Sequence, residues 1–149
     1  MKTKYALLAL TALARSHGQG LMQIAEISTQ QHIPHKFLEL ILLDLKNLGF
    51  LHSKKGRGGG YALARPPAKI TVGEIVRSLE GPVAVLPCAG SEPRACDECS
   101  DIESCALRMV MTKVSESMAS VLDRTSLADV LMWEEHAISR RAQDSSYQI

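Results

Sequence analysis

The stretch Lys55-Gly56-Arg57-Gly58-Gly59-Gly60-Tyr61-Ala62-Leu63 decides how this chain of 149 residues is read. Phe50 to Lys54 before it and Tyr61 to Leu63 at its end have strand character, and the glycine tract between them relaxes the backbone for a tight, exposed hairpin tip. A phosphate-cradling nucleotide loop is the poorer reading. The Lys-Ser/Thr of such a loop is missing, and a strand rather than a helix follows.

Three helical patterns precede the hairpin. The first runs from Thr3 to about Ser16, with Leu7, Leu8, Leu10 and Ala14 as its core face. Lys2 and Lys4 before an apolar run mimic an export signal, but the run continues past Arg15 into an ordinary globular pattern. Gly18 and Gly20 stop it. The second helix covers about Met22 to Gln30, with Ile24, Ala25 and Ile27 inward. The third runs from Pro34, tolerated in a first turn, to Leu48; Phe37, Leu38, Ile41, Leu42, Leu45 and Leu48 form its stripe, and Gly49 is its stop. Three helices and a glycine-tipped hairpin within about 65 residues describe a winged helix-turn-helix, whose last helix enters the DNA major groove.

The residues at the expected contact points suit that chemistry. His35 and Lys36 begin the third helix, and Lys36 can donate to guanine O6 and N7 or to phosphate. Lys54, Lys55 and Arg57 line the wing, while Gly58 and Gly59 let its backbone approach closely. Glu39 either accepts from cytosine N4, caps the helix edge, or repels phosphate unless turned away. The charge distribution agrees. Met1 to Lys69 carries ten Lys and Arg against three acids, net +7, whereas Ile70 to Ile149 is net −6. A basic half beside an acidic half suggests that the first faces a polyanion.

Beyond Pro66-Pro67, Thr71-Val72-Gly73-Glu74 is a capping box that starts a helix to about Leu79. A loop from Pro87 to Ser104 leads to a long helix over about Ile102 to Asp123. Its Leu107, Val110, Val114, Met118 and Val121 recur at three- and four-residue steps, a coiled-coil-like seam. Ser126 caps a short helix through Trp133, and the polar end of the chain reads as disordered.

Cys88, Cys96, Cys99 and Cys105 are separated by seven, two and five residues. Such clustering, without an export signal, points to metal or redox chemistry rather than structural disulfides. Only Cys96 and Cys99 form a C-x₂-C knuckle, so a zinc ribbon has weak support. The loop reads as too polar to bury its thiols. The five histidines are scattered and form no metal pair at helical spacing.

Lys4-Tyr5-Ala6-Leu7, Phe37-Leu38-Glu39, and above all the wing followed by Thr71-Val72-Gly73-Glu74-Ile75, resemble the Rrf-type regulators, the group of IscR, NsrR, RirA and CymR. The resemblance spans Met1 to about Met132. It implies a homodimer whose long helices cross, each winged helix reading half of a palindrome in double-stranded promoter DNA. In that family a Cys-x₅-Cys before a Leu-Arg-bearing helix marks cluster ligands, and Cys99 to Cys105, followed by Ala106-Leu107-Arg108, matches it. Cys88 fits the first ligand with a longer gap, and Cys96 is extra. Arg108 stands where some relatives place a ligating His, so the four cysteines can complete the set alone.

The expected fold is mainly α with a small β-hairpin wing. The expected domains are a DNA-binding part over 1–81, a cysteine-bearing loop over 82–104, dimerisation helices over 105–133 and a partly disordered tail over 134–149. The function implied is a cytoplasmic transcription regulator, a repressor, controlled by a 2Fe–2S or 4Fe–4S cluster on Cys88, Cys96, Cys99 and Cys105 that responds to iron, redox state or nitric oxide. A metal-free thiol/disulfide switch, zinc, or action through a protein partner remain open. An enzyme is not indicated, since no acid–base pair or activated nucleophile is visible. No apolar run approaches the roughly 20 residues of a membrane span.

Overall fold

A computed structural model describes residues 1–94, 99 and 101–146. Six helices and one two-stranded sheet follow in the order α1 (Lys2–Arg15), α2 (Ile24–Gln31), α3 (His35–Asn47), β1 (Leu51–Lys54), β2 (Gly60–Leu63), α4 (Val72–Glu80), α5 (Ala106–Arg124) and α6 (Leu127–Ser146). The expected class, mainly α with a hairpin wing, is the one observed. Among the described residues no helix is long and apolar enough to cross a membrane. The chain divides into two compact units, Met1–Ile70 with Ser126–Ile149, and Thr71–Thr125.

In the first unit α1 is the central element, in contact with α2, α3, β2 and α6. It buries Ala6, Ala9, Leu10, Ala12, Leu13 and Ala14, while Leu7 and Leu8, expected inward, are only half-buried. The small side chains explain the difference: alanine lets neighbouring backbones approach α1 from several directions. In α2 the Gln23 N–H donates to Glu26 Oε2 at 2.6 Å, tying down the first turn. Ile27 is buried, but Ala25 faces outward. The turn into α3 is held by Ser28, whose hydroxyl donates to the Ile33 carbonyl at 2.7 Å. α3 buries Leu38, Ile41, Leu42 and Leu45 against α1 and α2. Phe37 and Leu48 leave the expected stripe and are 60% and 44% exposed.

β1 and β2 pair antiparallel with Leu51 opposite Leu63 and Lys54 opposite Gly60. Met22 extends the pairing through two 2.9 Å backbone hydrogen bonds with Tyr61, so the wing is fastened to the start of α2. At the tip, the Gly59 N–H donates to the Gly56 carbonyl at 2.9 Å. A Cβ on Gly59 would collide with the Lys54 carbonyl oxygen, which is why the tip is glycine. α6 begins where the Leu127 N–H donates to the Ile70 carbonyl at 2.9 Å. The Ser126 hydroxyl donates to Asp129 Oδ2 at 2.6 Å and accepts from the Asp129 N–H at 3.2 Å. The Ser126 hydroxyl foremost, and then the Ser126 N–H, which donates to Asp129 Oδ2 at 2.8 Å, hold the Asp129 carboxyl below its ordinary value. α6 does not stop at Trp133. It continues to Ser146, because no Gly or Pro interrupts it, and Arg15 bonds Glu134 at 2.5 Å. The expected tail is thus helical through residue 146; residues 147–149 lie outside the described residues.

In the second unit Thr71 caps α4, its hydroxyl accepting from the Glu74 N–H at 3.1 Å, as the capping box requires. α4 packs on α5. Gly73 lies against Asp123, whose Oδ1 accepts from Arg77 Nη2 at 2.6 Å. This packing places α4 in the same compact unit as α5. α5 starts at Ala106, later than Ile102, because Cys105 takes the N-cap and Asp101 accepts from the Glu103 N–H at 2.9 Å in the preceding turn.

A Cβ at Gly73 would displace the Asp123 side chain from Arg77. Gly73→Ala is expected to cost about 1–3 kcal/mol, the usual range for overpacking, read as a lower thermal midpoint. Combining it with Asp123→Ala should cost less than the sum of the single variants. A Gly73→Ala protein that melts like the wild type would contradict the packing described.

Candidate functional site

The candidate residues lie on two elements of the first unit, the start of α3 and the hairpin. Pro34 supplies the extended residue before α3, so His35 and Lys36 open the helix and both are exposed. The wing presents Lys54, Lys55 and Arg57, also exposed, with Gly58 between Arg57 and the tight contact at Gly59. Between α3 and the wing runs a groove of about 650 Å³, lined by Leu43 and Lys46 from the helix and by Lys54, Lys55, Arg57 and Tyr61 from the hairpin. Among the described residues, no carboxylate pairs with Lys36, Lys46, Lys54, Lys55 or Arg57. Unneutralised cations around a groove are what a polyphosphate backbone requires.

Glu39, the awkward acid, has its Oε1 3.4 Å from Nδ1 of His35, one turn earlier on the same helix. Its charge is directed along α3 toward a neighbour that can carry the opposite sign. Asp44 is similarly occupied by Lys2, at 2.7 Å. Of the two acids on this helix, Asp44 is thus paired with a lysine.

Lys46, Leu40, Leu43 and Asn47 also reach this face, and the sequence reading passed over them. The signal was present: counted at 100° per residue, Lys36, Leu40, Leu43 and Asn47 fall within about 60° of one another, opposite the buried stripe of Leu38, Ile41, Leu42 and Leu45.

The cysteines belong to the second unit. Cys88 sits in a 3₁₀ turn (Pro87–Ala89) that packs on α5 and is 8% exposed, contrary to the expectation that the loop is too polar to bury a thiol. Cys105 is the N-cap of α5, its Sγ accepting from the Arg108 N–H at 3.5 Å. The Arg108 guanidinium donates to the Cys88 carbonyl at 2.9 Å and to the Ile102 carbonyl at 3.5 Å. Arg108 thus clamps both ends of the loop to α5, a role its sequence position did not reveal. Cys99 is exposed, and Cys96 lies outside the described residues. Among the described residues, no three His, Cys, Asp or Glu side chains are close enough to hold a metal ion.

Residues 1–132 match the Rrf2 family, described as iron-dependent transcriptional regulators. An Rrf2-like helix-turn-helix-type regulator of Rhodobacter capsulatus is 41% identical over 134 residues, 87% of this chain and 89% of that protein. Among solved structures, CymR, the global cysteine regulator of B. subtilis, is similar with a TM-score of 0.75 and 28% identity, over 89% of this chain and 95% of that one. IscR of T. potens is similar with a TM-score of 0.74 and 32% identity, over 92% and 88%.

Arg57→Ala and Lys36→Ala should each weaken duplex binding across all sequences and reduce the slope of log affinity against log salt by about 1. Fluorescence anisotropy over a salt series measures both. An unchanged slope and affinity in Arg57→Ala would remove the wing from the interface.

Proposed function

The chain belongs to the Rrf2 family of transcriptional regulators, and from that premise we propose that it acts as a homodimer on palindromic promoter DNA, as a repressor, under the control of an iron–sulfur cluster on Cys88, Cys96, Cys99 and Cys105. The DNA-contacting set is His35, Lys36, Glu39, Lys54, Lys55, Arg57, Gly58 and Gly59, with Glu39 Oε1 3.4 Å from His35 Nδ1. The observation that carries the sensing half is Arg108, which ties the Cys88 carbonyl to the turn that Cys105 caps. Whatever happens at these thiols is felt at the first turn of α5.

The donor set fits the group in its chemistry, since four thiolates are what 2Fe–2S and 4Fe–4S centres take. When bound, such a cluster supplies an oxidation state and charge that depend on the redox and iron status of its surroundings. The chain's own part is mechanical: Cys105 orients the helix start, and Arg108 holds the loop. α5 carries the seam residues Leu107, Val110, Val114, Met118 and Val121, all of which are solvent-exposed in the single chain, Val110 by 55%. An apolar stripe of this length at three- and four-residue spacing supports pairing with a second copy.

A metal-free thiol/disulfide switch is the second reading. Likeness to CymR of Staphylococcus aureus, whose oxidised form has been solved, supports it, with 26% identity and a TM-score of 0.68.

Anaerobic purification separates the two. The cluster reading expects coloured protein with iron and sulfide in stoichiometric amounts, lowered by Cys→Ala changes at each ligand. Colourless, iron-free protein whose DNA binding changes on mild oxidation establishes the thiol switch. Light scattering tests the dimer. The wild type should have twice the 16.2 kDa mass of one chain, and Val114→Asp should shift it toward monomer. A monomeric wild type at micromolar concentration overturns the dimer.

A further inference from the structure

The outward face of α3 is apolar where a DNA-reading helix needs base contacts. Leu40 is 65% exposed and Leu43 51%, and both lie opposite the buried stripe, between Lys36 at one end and Asn47 at the other. They also line a cavity of about 510 Å³ with Met1, Tyr5 and Phe37. Among the described residues none buries either side chain.

We propose that Leu40 and Leu43 are specificity-determining residues that read thymine C5-methyl groups on neighbouring base pairs. The inference rests on the DNA-binding reading above and adds the chemistry of base selection to it. The C5-methyl of thymine is the one apolar group that base edges display in the major groove. A leucine gains by covering it and has no hydrogen-bonding atom to offer guanine or cytosine, whose edges it would leave desolvated and unpaired. The spacing suits the task. Three residues of helix rise about 4.5 Å, close to the roughly 3.4 Å between successive bases of a strand. Charge decides between occupants. Leu43 shares a groove with Lys46, Lys54, Lys55 and Arg57, none of which has a carboxylate partner among the described residues, while the two acids of this helix, Glu39 and Asp44, lie against His35 and Lys2. A second copy seated there would bring like charges together, whereas duplex phosphates would neutralise them.

The test starts from a duplex selected by the full-length protein out of a randomised pool. Each thymine is then replaced by uracil, which removes the methyl and keeps the hydrogen-bonding edge, and affinity is measured at fixed salt. Two neighbouring positions in each half-site should lose about fourfold per methyl removed. In Leu40→Ala or Leu43→Ala the loss at one of these positions should disappear while the salt slope is kept. Both side chains are exposed, so the variants should melt like the wild type. Tight, salt-dependent binding that is indifferent to uracil everywhere overturns methyl reading and leaves DNA binding standing. A uracil penalty that persists in both variants also overturns it. Failure to bind any duplex removes the DNA-binding reading beneath it. A Leu40→Ala protein altered in oligomeric state, with its uracil penalty unchanged, assigns the face to a second copy and overturns the proposal.

Discussion

The burial of α1 is the constraint on which the first unit depends. α2, α3, β2 and α6 all contact this one helix. A helix surrounded in this way cannot carry large residues on every side, because interiors pack at crystal-like density and leave no room for them. Ala6, Ala9, Ala12 and Ala14 meet that requirement, and Leu10 and Leu13 supply the bulk. The position of α3, and with it the candidate DNA face, follows from this packing. Leu38, Ile41, Leu42 and Leu45 can point only inward, which fixes Lys36, Leu40, Leu43 and Asn47 outward.

Most of the winged fold was legible because its signals are local. Pro34, the Gly56–Gly60 tract and the Thr71–Glu74 capping box each act through backbone chemistry of a few residues. What was less legible depends on partners distant in sequence. Leu7 and Leu8 look like core in a periodicity plot, yet the alanines on either side of them, Ala6 and Ala9, are the buried residues. Phe37 and Leu48 match a helical stripe but stay largely exposed among the described residues. The grouping of α4 with α5 turns on Gly73 meeting Asp123, fifty residues away in sequence, and no local rule reports such a pair. The extension of α6 to Ser146 is a different case. The polar composition suggested disorder, but its residues are good helix formers and the ion pair from Glu134 to Arg15 ties the helix to α1.

The candidate DNA site was legible in its charge and not in its specificity. Lys36, Lys54, Lys55 and Arg57 stand out as cations in a half of the chain with few acids. Leucines do not stand out, because the same residue type builds the core. Only the burial of one leucine set against the exposure of the other separates Leu38, Leu42 and Leu45, which pack, from Leu40 and Leu43. The cysteine loop shows the converse. Its residue types were plain from spacing alone, but Arg108, which organises the loop, looked like a substituted ligand until its bonds to the Cys88 and Ile102 carbonyls were seen.

Both α3 and α5 therefore carry more apolar surface than their own unit buries. Helical periodicity reports that a face is apolar, and the hydrophobic effect rewards its burial whether the partner lies in the same chain or another molecule. The surroundings distinguish the two cases. The α3 face borders cations of the helix and wing that have no carboxylate partner among the described residues, and it suits a polyanion that displays methyl groups. The α5 stripe of Leu107, Val110, Val114, Met118 and Val121 repeats over four turns with no such ring, in the half of the chain that is net acidic. A long, regular, uncharged stripe is best covered by an equally long one, and an identical helix supplies it. The same pattern in sequence thus specifies two different partners, and the charge beside each stripe tells them apart.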